Sequence, residues 1–346
     1  MEARLAQALV TGGAGFIGRH LVAQLQARGD RVRVLDPAAA RAGFGADVDI
    51  RAGSVLDAGA LSAALNDVDH VYHLAANAQL WAPDPTEFDR INRGGTEALL
   101  ASARGRPIKR IVVTSSEVTV KAWRDRSPGP TAEPATPLPR DAMAGPYSRS
   151  KHAADALALA AAADGLPVTL VHPTLPIGPG DVGLTPPTTM ILGFLREAIP
   201  AYLDTTFNLI AVEDVAVGHI LAAARGETGA RYILGHENLT MTALLALLEE
   251  IAAIRTPRRR VPYALAWLAG RVETALADHV TRRPPTAPFE GVRLARAAMA
   301  FDPSKAVRDL GLPQSPVRDA LTRAVGWLID QGHAPNVRLR EGAASA

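Results

Sequence analysis

Two rhythms divide the chain. Through residue 175, short apolar runs of strand length alternate with longer runs of helical period. Residues 5–10 are apolar and are followed by a cluster of glycines and a helical stretch over 16–28. Arg31–Leu35 alternates polar and apolar side chains, as a strand does. Residues 71–74, 111–114 and 167–172 are further strand-like runs; 57–65, 86–104 and the Ala-rich 147–163 carry helical patterns between them. Strands separated by helices predict an α/β fold, a Rossmann-type doubly wound parallel sheet.

After residue 172 the pattern changes. Residues 173–190 are rich in Pro, Gly and Thr and read as a loop lining a cleft. Helical runs then dominate, at 188–197, 213–225, 240–253, 262–277 and 316–331, with short strands at 208–212 and 230–234. The expected organisation is a dinucleotide-binding domain over 1–175, a smaller and mostly helical substrate lobe over 176–332 partly interleaved with the sheet, and a disordered tail over 333–346. Along 262–277, Val261, Leu265, Leu268, Val272 and Leu276 recur at helical spacing. They read as core or lid packing in preference to membrane contact.

Composition narrows the function classes. A chain that is 48% hydrophobic and 21% charged belongs with globular proteins. The net charge is only +2 and no run of five basic residues occurs, which argues against nucleic acid as a partner. The arginines among residues 255–260 read as a solvated turn. Without cysteine there is no disulfide and no Cys-ligated metal, and the nine histidines lack ligand spacing, so no metal is expected. The first strand starts by about residue 5, leaving no room for a signal peptide, and no apolar run reaches the ~18 residues of a membrane span. A cytoplasmic location is expected; peripheral membrane contact is left open.

Candidate chemistry begins at Thr11-Gly12-Gly13-Ala14-Gly15-Phe16-Ile17-Gly18, between a strand and a helix. Glycines here permit a tight turn, a close approach of pyrophosphate to bare backbone and close helix–strand packing. Asp36 ends the second strand, where a carboxylate accepts hydrogen bonds from both ribose hydroxyls and repels a 2′-phosphate. NAD is therefore expected over NADP. Tyr147 and Lys151 are four apart at the start of a helix, on one face. A phenol titrates near ~10, and a neighbouring ammonium makes it a usable acid–base group. Ser115 and Ser116 end the strand at 111–114, the place where such sheets hold ligands.

Together these residues resemble the extended short-chain dehydrogenase/reductase family over nearly the whole chain. His73-Leu74-Ala75-Ala76, Asn92 with Gly95-Thr96, Gly178-Pro179-Gly180-Asp181 and Val212-Glu213-Asp214-Val215 match further family signatures. Within the family, Leu80-Trp81-Ala82-Pro83-Asp84-Pro85 and Arg231-Tyr232-Ile233-Leu234-Gly235 are most similar to hopanoid-associated "sugar epimerase" proteins, neighbours of dihydroflavonol reductases and 3β-hydroxysteroid dehydrogenases. The resemblance implies catalysis by Ser116, Tyr147 and Lys151. It implies cofactor contacts from Gly12, Gly15, Phe16, Ile17 and Gly18, from Asp36, from Ser54 and Val55, from Leu74, Ala75 and Ala76, and from Tyr147, Lys151 and Pro173. It also implies a homodimer. Gly53-Ser54 stands where the family usually has Gly-Asp.

The resulting expectation is an oxidoreductase moving a hydride between NAD(H) and a secondary alcohol or ketone carbon of a bulky, largely apolar small molecule. An NAD-dependent sugar epimerase and a catalytically silent dinucleotide sensor are the alternatives. Sugar-nucleotide members of the family carry an arginine just before the V-x-D signature, and Phe207 occupies that position here. Leu175, Ile177, Phe207 and Trp81 are expected to wall the pocket, with Arg196 or Arg293 as the remaining candidates to grip a diphosphate.

Overall fold

The computed structural model describes residues 6–127, 129–133 and 136–340. In chain order the first half forms β1 (Gln7–Thr11), α1 (Phe16–Ala27), β2 (Arg31–Leu35), β3 (Val48–Arg51), α2 (Ala58–Ala64), β4 (His70–His73), α3 (Thr86–Phe88), α4 (Gly94–Ala103), β5 (Arg110–Thr114), α5 (Pro146–Ala163) and β6 (Val168–Pro173). The second half forms β7 (Leu175–Ile177), α6 (Pro186–Leu195), β8 (Ala201–Tyr202), β9 (Thr206–Ala211), α7 (Val212–Arg225), β10 (Arg231–Leu234), β11 (Glu237–Thr240), α8 (Met241–Ile251), β12 (Arg259–Arg260), α9 (Tyr263–Leu276), α10 (Phe289–Ala295) and α11 (Val317–Asp330).

Seven strands make one sheet in the order β10-β6-β5-β4-β1-β2-β3, with every pair parallel. This is the doubly wound arrangement the alternation predicts. Parallel strands are buried on both faces, which is why β1 shows no polar alternation and is buried throughout. On one face Leu21, Val22 and Leu25 of α1 pack with Val215, Ala216 and Ile220 of α7. On the other, Leu61 of α2, Leu99 and Leu100 of α4, and Ala158 and Ala161 of α5 cover the strands. Strand order reverses between β1 and β4, so the ligand crevice opens there, at the C-terminal strand ends.

Several elements differ from the sequence reading. The run 86–104 is not one regular helix. A π turn over Asp89–Arg93 separates α3 from α4, and its extra residue turns Asn92 inward, where it is buried. Strand β3 was missed because half of it is exposed and it lacks an apolar run. The strand read at 230–234 joins the main sheet beside β6 and α7 packs on α1, which is where the second half, expected to interleave in part with the sheet, enters the first layer system.

The lobe has its own core, where Ile177, Leu192 and Leu195 meet Leu244, Leu248, Leu321 and Val325. The expected tail is ordered as far as Arg340: Ala334 and Val337 are buried, and Ala253 N donates to Arg338 O. Residues 341–346 lie outside the described residues. The apolar series on α9 is not core; Leu265, Leu268, Val272 and Leu276 are all exposed. No helix among the described residues is long and apolar enough to cross a membrane.

Candidate active site

The glycine loop lies at the C-terminal end of β1. Gly12 has φ +73°, and a Cβ there would come within 2.6 Å of Ala75 N. Leu74 and Ala75 thus press directly on the loop, and Leu74 N donates to Thr11 O. A Cβ on Gly18 would meet Gly12 O at 2.3 Å, so only glycine lets α1 start this close to the strand. Gly15 caps α1 without a side-chain acceptor, and the first turn carries no acid. Phe16 is buried and Ile17 half-buried behind the loop. The first amides of α1 are left for an anion, which fits the diphosphate of a dinucleotide.

Asp36 stands beside the loop at the end of β2. Its Oδ2 accepts from Ala14 N at 3.1 Å and its Oδ1 from Ala38 N at 2.7 Å. Each oxygen keeps a further lone pair for a ribose hydroxyl. Arg19, also at the loop, donates to Ala14 O and Ala42 O, so its guanidinium is held by backbone. Ser54 accepts from Leu56 N in the turn before α2, and Val55 is buried against Gly95. These residues place Asp36, Ser54 and Val55 along the second and third strand ends, where the adenosine half of a dinucleotide would lie.

Between β4 and α4 a buried polar chain locks the crevice. Thr11 Oγ1 bonds His73 Nδ1 at 2.8 Å, and His73 Nε2 bonds Thr96 Oγ1 at 3.1 Å. Burial pushes His73 down to about 3, so it is neutral here. Asn92 donates to Ser150 Oγ at 2.9 Å and to Asn77 O at 3.1 Å, and accepts from Asn77 N. Asn92 therefore ties the loop containing Ala75 and Ala76 to the helix that carries Tyr147.

Tyr147 and Lys151 are both buried near the start of α5. Lys151 Nζ donates to Thr114 O at 2.9 Å, which holds the ammonium at the end of β5. Burial pushes Lys151 down to about 8, against an opposing pull from Asp155. Burial raises Tyr147, the charges of Glu117, Glu290 and Asp155 add to that, and a hydrogen bond with Ser116 lowers it. Ser116 Oγ donates to Glu117 Oε2 at 3.1 Å, and burial drives Glu117 up to about 7. Ser115 turns instead toward Thr119. Of the two serines, Ser116 is the one that meets the tyrosine. His172, fully buried, bonds Thr119 Oγ1 and Ser116 O, and Pro173 closes β6 beside it.

One residue at the site left no trace in the sequence reading. Glu290, on α10, accepts from Tyr147 N at 3.1 Å, Ser148 N at 2.8 Å and Ser148 Oγ at 2.7 Å. It caps the tyrosine helix from 143 residues away, where no local pattern can reveal it. The nearest local signal is Gly145: a Cβ there would meet Glu290 Oε2 at 2.3 Å.

The apolar surroundings of Tyr147 also differ from expectation. They are Ala82, Phe88, Val118, Val120, Met299 and Phe301, with Leu80 and Leu294 against them. Ile177 does not line this space; it is buried in the lobe core, with Leu175 and Phe207 packed on that core. Trp81 borders the site differently, donating to Asp278 Oδ1 at 2.7 Å. Arg196 points away to His333 O, and Arg293 stacks on Trp123 at 3.9 Å. Asp214 of the V-x-D signature accepts from Ser315 N and Ser315 Oγ, tying α7 to the start of α11.

Comparison with known proteins agrees with this geometry. Residues 8–235 match the family described as NAD dependent epimerase/dehydratase family. A protein of Synechocystis provisionally named dihydroflavonol 4-reductase is 39% identical, with 94% of this chain and 95% of that protein covered. Sterol demethylase protein B of Methylococcus capsulatus is 30% identical, with 94% and 98% covered. The crystal structure of gox2253 superposes with a TM-score of 0.81 at 31% identity, with 94% and 98% covered. The chain belongs to the NAD dependent epimerase/dehydratase family, and is an enzyme of the extended short-chain dehydrogenase/reductase type.

Proposed function

We propose that the enzyme moves a hydride between NAD(H) and a secondary alcohol or ketone carbon of a bulky, largely apolar substrate of sterol, terpenoid or polyphenol type. The observation that carries this is the setting of Tyr147. It sits within an apolar shell of Leu80, Ala82, Phe88, Val118 and Met299, beside Ser116 and Lys151. An apolar surround on this side of the tyrosine favours a hydrocarbon body over a sugar. Relatives bearing the names sterol demethylase and dihydroflavonol 4-reductase act in the same direction as support.

Ser116 Oγ holds the substrate oxygen by a hydrogen bond. Tyr147 Oη takes the hydroxyl proton in oxidation and returns it in reduction. Lys151, fixed on Thr114 O, supplies positive charge that favours the phenolate. NAD in its oxidised form, when bound, provides the hydride acceptor and a further positive charge that counters the burial raising Tyr147. The amides at the start of α1 hold the diphosphate, and Asp36 holds the ribose and discourages a 2′-phosphate. Phe207 and the turned-away Arg196 leave a nucleotide-sugar diphosphate without an arginine grip in this part of the lobe.

Incubation with NAD and a panel of sterol, terpenoid and flavonoid secondary alcohols tests the reading. NADH should accumulate with at least one bulky alcohol, and UDP or dTDP should give no saturable thermal stabilisation in the presence of NAD. Tyr147→Phe should lower turnover by roughly a thousandfold while NAD still binds. Strong stabilisation by UDP, or near-normal turnover in the variant, would overturn it.

A further inference from the structure

Helix α9 packs one side on α10 and leaves an apolar stripe exposed on the other. On its inward side Gly270 is buried, a Cβ there would meet Val292 at 2.9 Å, and Trp267 meets the Phe289 ring edge-on at 5.5 Å. Its outward side is apolar: Leu265 is 58% exposed, Leu268 55%, Val272 50% and Leu276 48%, with Val280 beyond the helix at 71%. At 3.6 residues per turn the first four fall on one stripe. A continuous exposed stripe of this kind marks an interaction surface, since isolated exposed leucines would not line up.

The charges around the stripe say what it meets. Arg271 lies beside it and stacks on Trp267, Arg259 precedes the helix, and Arg282 and Arg283 follow it; all four are exposed. The nearby carboxylates Glu273 and Asp278 keep their charge but turn to the protein, accepting from Ala287 N and Trp81 Nε1, and the four arginines outnumber them. The face is therefore leucine and valine rimmed by arginine, the complement of an anionic lipid surface.

A second copy fits less well. Five partly exposed side chains amount to a few hundred Å², below the ~800 Å² per partner of a standard interface. A two-fold pairing would also set arginines against arginines.

We infer that α9 docks the enzyme on the surface of an anionic bilayer. Docking here places the membrane one element from the substrate side of the site. Asp278, just past the helix, holds Trp81 between Leu80 and Ala82, and α10, packed on α9, supplies Glu290 to the tyrosine helix. The inference rests on the exposed face and its charges, independently of the substrate class proposed above.

Co-sedimentation with phosphatidylcholine vesicles, with and without phosphatidylglycerol, tests it on the full-length enzyme. The enzyme should bind only when phosphatidylglycerol is present and release as salt is raised. The double substitution Leu268→Glu with Val272→Glu should weaken binding at least ~30-fold, because it removes apolar burial and adds repulsion. Both side chains are exposed, so melting temperature and NAD affinity should not change. Indifference of the wild type to both vesicles, or unchanged binding by the double variant, would overturn the inference. So would light scattering that shows a dimer split by the same substitutions, which would make the face a self-interface. Vesicle binding and alcohol oxidation are read separately, so either can fail alone.

Discussion

Burial of Glu117 beside Ser116 ties the stability of the protein to pH. Its folded value, about 7, lies above the ordinary 4.5, so the folded protein holds this proton more tightly than the unfolded chain. The stabilisation is fully present below pH 4.5 and is lost as pH rises through 7. Urea denaturation of the wild type and of Glu117→Gln at both ends of that window should show the wild type losing about 3 kcal/mol relative to the variant. Equal pH dependence of the two proteins would count against a buried, protonatable Glu117. The same substitution removes a charge that raises Tyr147, so the alkaline limb required for phenolate chemistry should move to lower pH. At this scale the sequence was informative where chemistry is local. Tyr147 and Lys151 share a helix turn, and Gly12, Gly15 and Gly18 share a loop. The burial of Glu117 could not be read locally, because it depends on strands and helices distant in the chain.

The tyrosine helix illustrates how one element is held by others. The backbone amides of Tyr147 and Ser148 end on Glu290, Ser150 is gripped by Asn92, and Lys151 is anchored on β5. Glu290→Gln keeps one acceptor oxygen and should cost turnover modestly. Glu290→Ala leaves those amides buried without a partner and should destabilise the fold by roughly 1–2 kcal/mol. Because Glu290 positions the phenol without contacting a dinucleotide loop, Glu290→Ala should depress kcat while NAD affinity stays within about twofold, with partial rescue by Gln. A parallel loss of NAD affinity would point instead to general collapse of the crevice. Elements were legible where apolar period and length agreed, as in α1, α7 and α11. They were not legible where hydrogen bonding changes without a change in pattern, as in the π turn before α4. Nor were they legible where a helix is short and half-buried, as in α10. For α9 the period was right and the burial wrong, since a stripe of leucines does not reveal which side the protein lies on.

Across the whole molecule, the sheet and lobe are not consecutive. Strand β6 is paired on its outer side by β10, and α1 is covered by α7, both of which come after the first lobe segment. A fragment ending at residue 175 would expose the β6 edge and leave Leu21, Val22 and Leu25 without Val215 and Ile220. Expressed alone, it should be aggregation-prone, bind a hydrophobic dye and give a poorly dispersed amide spectrum. A well-dispersed monomeric fragment would refute this. The alternation of elements made a parallel doubly wound sheet readable and the second half was expected to interleave with it in part, but the pairing of 231–234 with β6 was not readable, because nothing in a strand of four residues names its neighbour.

The position of Glu290 has a consequence for synthesis on the ribosome. Tyr147, Lys151 and the glycine loop emerge early, yet the carboxylate that orders the start of their helix is made 143 residues later. A nascent chain thus carries a complete set of reactive side chains long before it carries the arrangement that lets them react. Premature termination anywhere ahead of α10 releases a product with the right groups and a tyrosine helix whose first amides lack their carboxylate, so full catalytic competence arrives late during translation.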